Sequence, residues 1–216
     1  MIVVPGRKPN DRIEALPEEE ITMNNEELIT DAIEYVSELL GKNAGGHDLS
    51  HSLRVYKNAI RIAEGEPDCD MLVVSLASIL HDVDDHKIFE HENNENARAF
   101  LNDKGVPSEL TEEICRVIDS VSFSKNRGRR PESLEGKIVQ DADRLDALGA
   151  IGIARTFAYG GEHGRSIEES VRHFYDKLLL IKDELNTDTA KAIAEERHRF
   201  LETFIAELND EIMANG

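Results

Sequence analysis

LASILHDVDDHK, residues 76–87, closes an almost unbroken apolar run that begins at Met71; from there to Leu80 only Ser75 and Ser78 are polar. A helix that is apolar on every side belongs in the interior of a protein. This one nevertheless runs into His81 and Asp82, with Asp84, Asp85, His86 and Lys87 close behind. A carboxylate carried into the interior without a partner is very costly. A divalent metal is one partner that an imidazole and a carboxylate can share. The alternative is a helix end at the surface with a solvated acidic cluster.

The chain around this run has 216 residues, enough for one domain with its own core. Hydrophobic residues make up 40% and charged residues 32%, a balance that suits a folded globular chain rather than a disordered one. No apolar run reaches the ~18 residues of a membrane span, and the opening MIVVPGRKPNDR lacks the apolar core of a secretory signal. Cys69 and Cys115 stand alone. Two isolated cysteines make neither a disulfide framework nor a zinc knuckle, which points to a reducing, cytoplasmic setting. The formal net charge of −19 argues against a nucleic-acid polymer or an anionic membrane surface as partner. A phosphate-bearing substrate would need a local cation, from a metal or from a basic loop.

Residues 1–24, with Pro5, Gly6, Pro9, Pro17 and three successive glutamates, read as an extended arm before a domain over 25–216. Apolar spacing and capping residues predict helices over about 25–40, 48–64, 70–82, 92–104, 108–121, 167–185 and 188–213. Residues 134–161, LEGKIVQDADRLDALGAIGIARTFAYGG, set Asp141, Asp143 and Asp146 among apolar and small residues. Three carboxylates there are costly unless paired or exposed. Lys137, Arg144 and Arg155 offer local partners. No run reads as a strand, so the expected fold is an all-α bundle of eight or nine helices.

Three further features bear on chemistry. His51 lies in the first turn of its helix on the stripe of Val55, Asn58 and Ile62, so it can point inward. A protonated histidine is disfavoured at a helix N-terminus, whereas a neutral, metal-bound one is not. The loop SFSKNRGRRPES, residues 122–133, inverts the sign of the chain: Lys125, Arg127, Arg129 and Arg130 are four of six consecutive residues. Guanidinium forks match phosphate oxygens, so this loop is either a phosphate clamp or a solvated surface. Finally, His51, His81, Asp82 and Asp143 fall on three predicted helices. Two imidazoles and two carboxylates suit manganese, iron, cobalt, nickel or zinc.

The ordered segments HDLSHSLRV (47–55), SILHDVDD (78–85) and DADRLDALGAIGIARTFAYGG (141–161) resemble the HD-domain superfamily of metal-dependent phosphohydrolases. The likeness covers about residues 25–210 and looks strongest to the small single-domain branch that includes deoxynucleoside triphosphate pyrophosphohydrolases. It implies a helical bundle with one divalent metal held by His51, His81, Asp82 and Asp143. Mn2+ is the first expectation, with Mg2+, Fe2+, Co2+, Ni2+ and Zn2+ as alternatives. Asp143 is chosen because ADRL matches the last motif of the family; Asp141 and Asp146 fall off that position. Many relatives hold two metals through extra histidines, but VIDSVS (117–122) has none, and His86 and His91 follow His81 too closely to match. A mononuclear centre is therefore expected.

The implied reaction is hydrolysis of (deoxy)nucleoside triphosphates to monophosphate and pyrophosphate by a metal-activated water. Asp85, or failing it Asp84, would assist proton transfer; some nucleotidase relatives carry glutamate at the place of Asp85. Lys87 and Arg144 would steady phosphate charge. Arg54 and Lys137 join Arg144 and the basic loop as candidate substrate-binding cations. Phe123, Phe157 and Tyr159 could stack on a base or belong to the core. The rival readings are a nucleoside monophosphate phosphomonoesterase and a nucleotide-binding regulatory module with a structural metal. The sequence leaves room for a homodimer.

Overall fold

Nine α-helices and one 3-10 segment make up most of the computed structural model, which describes residues 24–40, 49–85, 93–121, 126 and 129–214. Most of the expected N-terminal arm lies outside the described residues, as do Lys87, Phe123, Lys125 and Arg127. In chain order the helices are α1 (Asn25–Leu40), α2 (Leu49–Ala63), α3 (Met71–Leu80), α4 (Glu95–Asp103) and α5 (Ser108–Val121). They continue with α6 (Leu134–Asp146), α7 (Gly149–Glu162), α8 (Ile167–Asp176), the 3-10 segment (Leu178–Glu184) and α9 (Asp188–Ala214). No strand occurs among the described residues, and no helix among them is long and apolar enough to cross a membrane. Cys69 and Cys115 are free thiols.

The apolar run is the centre of the bundle. Asp70 caps α3, its carboxylate accepting from the amides of Leu72 and Val73. Every residue from Val73 to Leu80 is buried, against α1, α2, α5 and α6. Fully burying one Leu or Ile contributes about 1.5–3 kcal/mol, so α3 alone supplies a large share of the core. The helix stops at Leu80, earlier than its pattern suggests. Val83 N bonds to Leu80 O and Asp85 N to Asp82 O, a tightening to i→i−3 bonds. Adjacent side chains on a helix diverge by about 100°. Ending the helix here lets His81 and Asp82 turn toward one point.

The sequence pattern sets no helix bounds for one stretch, and a second stretch departs from it. Residues 134–161 break at Ala147 and Leu148 into α6 and α7. Gly149 takes φ +66°, and a Cβ at Gly152 would sit 2.1 Å from the Ala147 carbonyl oxygen. Only glycine lets α7 turn back so closely against the end of α6. The helix expected over 167–185 ends at Asp176, and Lys177, at φ −142° and ψ −61°, leads into the 3-10 segment. A period of three stacks Leu178, Ile181 and Glu184 on one face. Leu178 and Ile181 enter the core, and the Glu184 carbonyl receives Arg144.

Candidate metal centre

The end of α3 meets the first turn of α2 and the last turn of α6. His51 Nε2 lies 3.3 Å from His81 Nε2, 3.3 Å from Asp82 Oδ2 and 3.3 Å from Asp143 Oδ1. His81 Nε2 is also 3.3 Å from Asp82 Oδ2. One ligand atom each from His51, His81 and Asp143 falls within a span of 4.8 Å.

The remaining ring nitrogens define what these atoms can do. His81 Nδ1 donates to the Ser78 carbonyl at 2.9 Å. His51 Nδ1 lies 2.7 Å from Asp146 Oδ2 and donates to it. With a proton on each Nδ1, a neutral ring turns the lone pair of Nε2 inward. Two imidazole lone pairs and two carboxylate oxygens then crowd one point. That arrangement is repulsive unless protons or a cation occupy the middle, and its mixed nitrogen and oxygen donors fit a first-row divalent metal.

Protein groups alone shift these sites strongly. Burial pulls the His51 pKa down, but Asp143, Asp146 and Asp82 outweigh it and hold the ring well above its ordinary value. Burial also opposes protonation of His81, and Asp82 reverses the balance, so this ring too is raised. Burial pushes the Asp143 carboxyl up, while His51 and His81 pull it below its ordinary range. For Asp146, burial is again outweighed, here by His51, Arg54 and Arg155, and the carboxyl titrates far below the usual range.

A pH dependence follows from His51. A raised histidine pKa contributes stability that is complete below the unfolded value near ~6.5 and is lost as pH rises through the folded value. A metal at Nε2 competes with the same proton. His81 is raised as well and would have to lose its Nε2 proton too. Affinity for a divalent ion is therefore expected to rise by up to about a hundredfold per pH unit while both rings are protonated, and to level off once both folded pKa values are passed. Calorimetric titration between about pH 6 and 9 measures this slope; a flat profile would remove proton competition at both rings.

The other predicted site residues part company. Asp84 Oδ1 accepts from Asn96 N at 2.9 Å and its Oδ2 from Ala97 N at 3.1 Å. It therefore anchors the first turn of α4, whose own N-cap, Asn94, makes no side-chain cap bond. Arg144 lies buried on α6. It is 5% exposed, and its Nη1 donates to the Glu184 carbonyl at 2.5 Å, so it ties α6 to the 3-10 segment. Asp85 is half-buried in the turn that follows Asp82. Lys137 is half-buried on α6, and Arg129 and Arg130 are exposed just before that helix. Asp143 lies nine residues into α6, about 14 Å along its axis from the end that the arginines adjoin. Phe157 packs with Phe174 and Phe204 in an aromatic cluster, while Tyr159 stacks on His163.

Sequence reasoning passed over Asp146 as a site residue. It is 2% exposed at the end of α6 and touches His51, Arg54 and Arg155. The available signal was a shared spacing of three. His51 and Arg54 share a face of α2, and Asp143 and Asp146 share a face of α6. Because α2 packs on α6, the two pairs meet. Arg54, expected to bind substrate, bonds Asp146 through Nε at 2.6 Å and through Nη2 at 3.0 Å; its side chain is 30% exposed beside the centre.

Fold and site together define an all-α bundle that gathers two imidazoles and two carboxylates where three helices meet. The HD domain family model matches residues 48–148. YpgQ of Bacillus subtilis is 38% identical over 187 residues, spanning 82% of this chain and 90% of that protein. A crystal structure of YpgQ in complex with ADP aligns with a TM-score of 0.75 at 34% identity, over 87% of this chain and 96% of that one. A crystal structure of an HD-superfamily hydrolase from Bacillus thuringiensis gives a TM-score of 0.75 at 41% identity, over 88% of this chain and 100% of that one. The chain belongs to the HD-domain family.

Proposed function

We propose that this chain is a metal-dependent phosphohydrolase that converts (deoxy)nucleoside triphosphates to monophosphate and pyrophosphate. The observation that carries the proposal is that His51, His81 and Asp143 bring one ligand atom each within 4.8 Å, with Asp82 Oδ2 3.3 Å from both imidazole Nε2 atoms. Membership of a superfamily that includes hydrolases supports the reaction class, and the ADP complex of YpgQ supports a nucleotide as ligand. The donor set suits Mn2+ among the first-row metals. A divalent ion held there would supply a water of lowered pKa and polarise a phosphoryl oxygen.

The residues of the chain divide the remaining work. Water oxygen bonds to the α-phosphorus, the bond to the bridging oxygen breaks, and pyrophosphate leaves. Asp85, in the turn beyond Asp82, takes the proton. Asp84, whose oxygens each accept from a backbone amide of α4, is the second candidate for this role. Arg54 and Arg155, 30% and 33% exposed beside the centre, face the charge of the phosphates nearest the reaction. Given their place at the far end of α6, Arg129 and Arg130 are assigned only to the distal phosphates, with Lys137 between.

The test is a panel of ribo- and deoxyribonucleoside tri- and monophosphates with added Mn2+, the products identified by phosphorus NMR. Pyrophosphate and a monophosphate are the expected products. Phosphate released from monophosphates alone would make the chain a phosphomonoesterase, and no turnover of any nucleotide would withdraw the proposal. Within this reading, Asp85→Asn is expected to lower kcat about 10²-fold while leaving Mn2+ affinity unchanged, the usual scale for a lost acid–base group. A wild-type rate across the pH profile would release Asp85 from its role.

A further inference from the structure

We propose that Asp146 is a positioning residue for the metal centre: it holds the His51 ring with Nδ1 outward and Nε2 facing His81, Asp82 and Asp143. The inference rests on reading those four residues as the metal ligands, and it adds what keeps one of them aimed.

The geometry around Asp146 is unusual for a purely structural ion pair. Its carboxylate is 2% exposed and accepts from three side chains on two other helices. Arg54 spans both oxygens, at 2.6 and 3.0 Å. Arg155 Nη1 reaches Oδ2 at 2.6 Å. Two guanidinium groups already satisfy the charge of one buried carboxylate. The third donor, His51 Nδ1 at 2.7 Å, is not needed for that purpose. Its consequence lies on the other side of the ring. A proton fixed on Nδ1 leaves the Nε2 lone pair for a metal, the usual way in which a carboxylate behind a histidine sets the tautomer of a ligand.

Arg155 sharpens the point. Its Nη1 is 3.2 Å from His51 Nδ1. Both nitrogens are donors aimed at Asp146 Oδ2, so that short approach is held by the carboxylate between them. Without the carboxylate, a guanidinium N–H would face Nδ1 directly. Nδ1 would then become the acceptor and the ring proton would move to Nε2. A histidine in that tautomer presents an N–H, not a lone pair, to the metal. Asp146 therefore acts through His51, and Arg54 and Arg155 prevent its carboxylate from swinging away from the ring.

Asp146→Asn keeps the side-chain shape and removes the charge. Co2+ titrations followed by visible absorption are expected to show an affinity about 10- to 100-fold weaker than wild type, with an altered absorption band. Asp141→Asn serves as the comparison, being a buried carboxylate on the same helix with no contact to His51; its Co2+ affinity is expected to match wild type. In wild-type protein at alkaline pH, nitrogen-15 NMR is expected to find the His51 proton on Nδ1, a measurement that stands even if Asp146→Asn does not fold. A wild-type ring protonated on Nε2, an Asp146→Asn affinity within about threefold of wild type, or an equal loss in Asp141→Asn would overturn the role of Asp146. Failure of wild type to take up Co2+ would overturn the metal-centre reading and this inference with it, so the two failures are told apart.

Discussion

Replacing Asp82 with alanine is expected to abolish stoichiometric metal binding and hydrolysis while leaving the helical fold in place. Asp82 is 7% exposed, and its Oδ2 lies 3.3 Å from both His51 Nε2 and His81 Nε2. Removing it deletes one of four converging donors. The surroundings that hold its backbone do not depend on the carboxylate, because Leu80 and Val83 on either side are fully buried by the core. Asp82 is also a partner of the His51 and His81 rings when these are protonated. The metal-free variant should therefore melt lower than metal-free wild type at neutral pH, by a margin that shrinks as pH rises through the two folded histidine pKa values. What should disappear is the stabilisation that a ligand gives by binding only the folded state, about 2.7 kcal/mol at a metal concentration of 100 Kd. Elemental analysis, circular dichroism and melting with and without Mn2+ measure the three parts. Full metal occupancy in folded Asp82→Ala protein would sink the assignment of Asp82.

The helices were legible because their faces repeat. Leu28, Ala32, Val36 and Leu40 are buried at intervals of four, and α3 is buried from Val73 onward, as an apolar run on every side requires. The ends were less legible because they are set by tertiary bonds. Asp84 looks like a catalytic acid in sequence, and only the return of the chain at Asn96 and Ala97 shows what its oxygens accept. The 3-10 segment was hidden for a similar reason: LLLIKDE continues an α pattern until Arg144 of a distant helix claims the Glu184 carbonyl.

The three aspartates of α6 show where local spacing stops. At about 100° per residue, Asp141 and Asp143 diverge by roughly 200°, while Asp143 and Asp146 lie within roughly 60° of each other. Spacing can therefore separate Asp141 from the other two. It cannot say that His51 stands between Asp143 and Asp146, with Nε2 toward one and Nδ1 toward the other. Nor can it say what charge meets each carboxylate. Asp146 is met by cations, which outweigh burial and lower its pKa. Asp141 is met by neutral donors from Thr187 and Asn186, burial prevails, and its pKa is raised.

That difference makes Asp141→Asn the second large expected effect, on stability rather than on the centre. Asp141 is fully buried and receives Asn186 through both its amide and its Nδ2, and Thr187 through both its amide and its hydroxyl. These bonds fix the two residues before α9. That helix in turn backs the centre, since Arg197 donates to the Leu145 carbonyl at 2.7 Å and to Asn58 Oδ1 at 2.9 Å. An asparagine has one acceptor oxygen where the aspartate has two. Whichever way its amide turns, an NH2 group faces a backbone N–H of Asn186 or Thr187. A buried donor left without an acceptor costs about 1–3 kcal/mol. The expected loss is about 2 kcal/mol, a large part of the ~5–15 kcal/mol that holds a typical domain together. In a chain of this size it should lower Tm by about 4–8 °C. Because Asp141 touches none of the four candidate ligands, Mn2+ affinity of the folded variant should match wild type. Thermal melting and metal titration on the same sample measure both sides. A variant that melts like wild type would show that Asp141 does not hold the start of α9, and one that melts normally but binds Mn2+ weakly would erase the division of labour along α6.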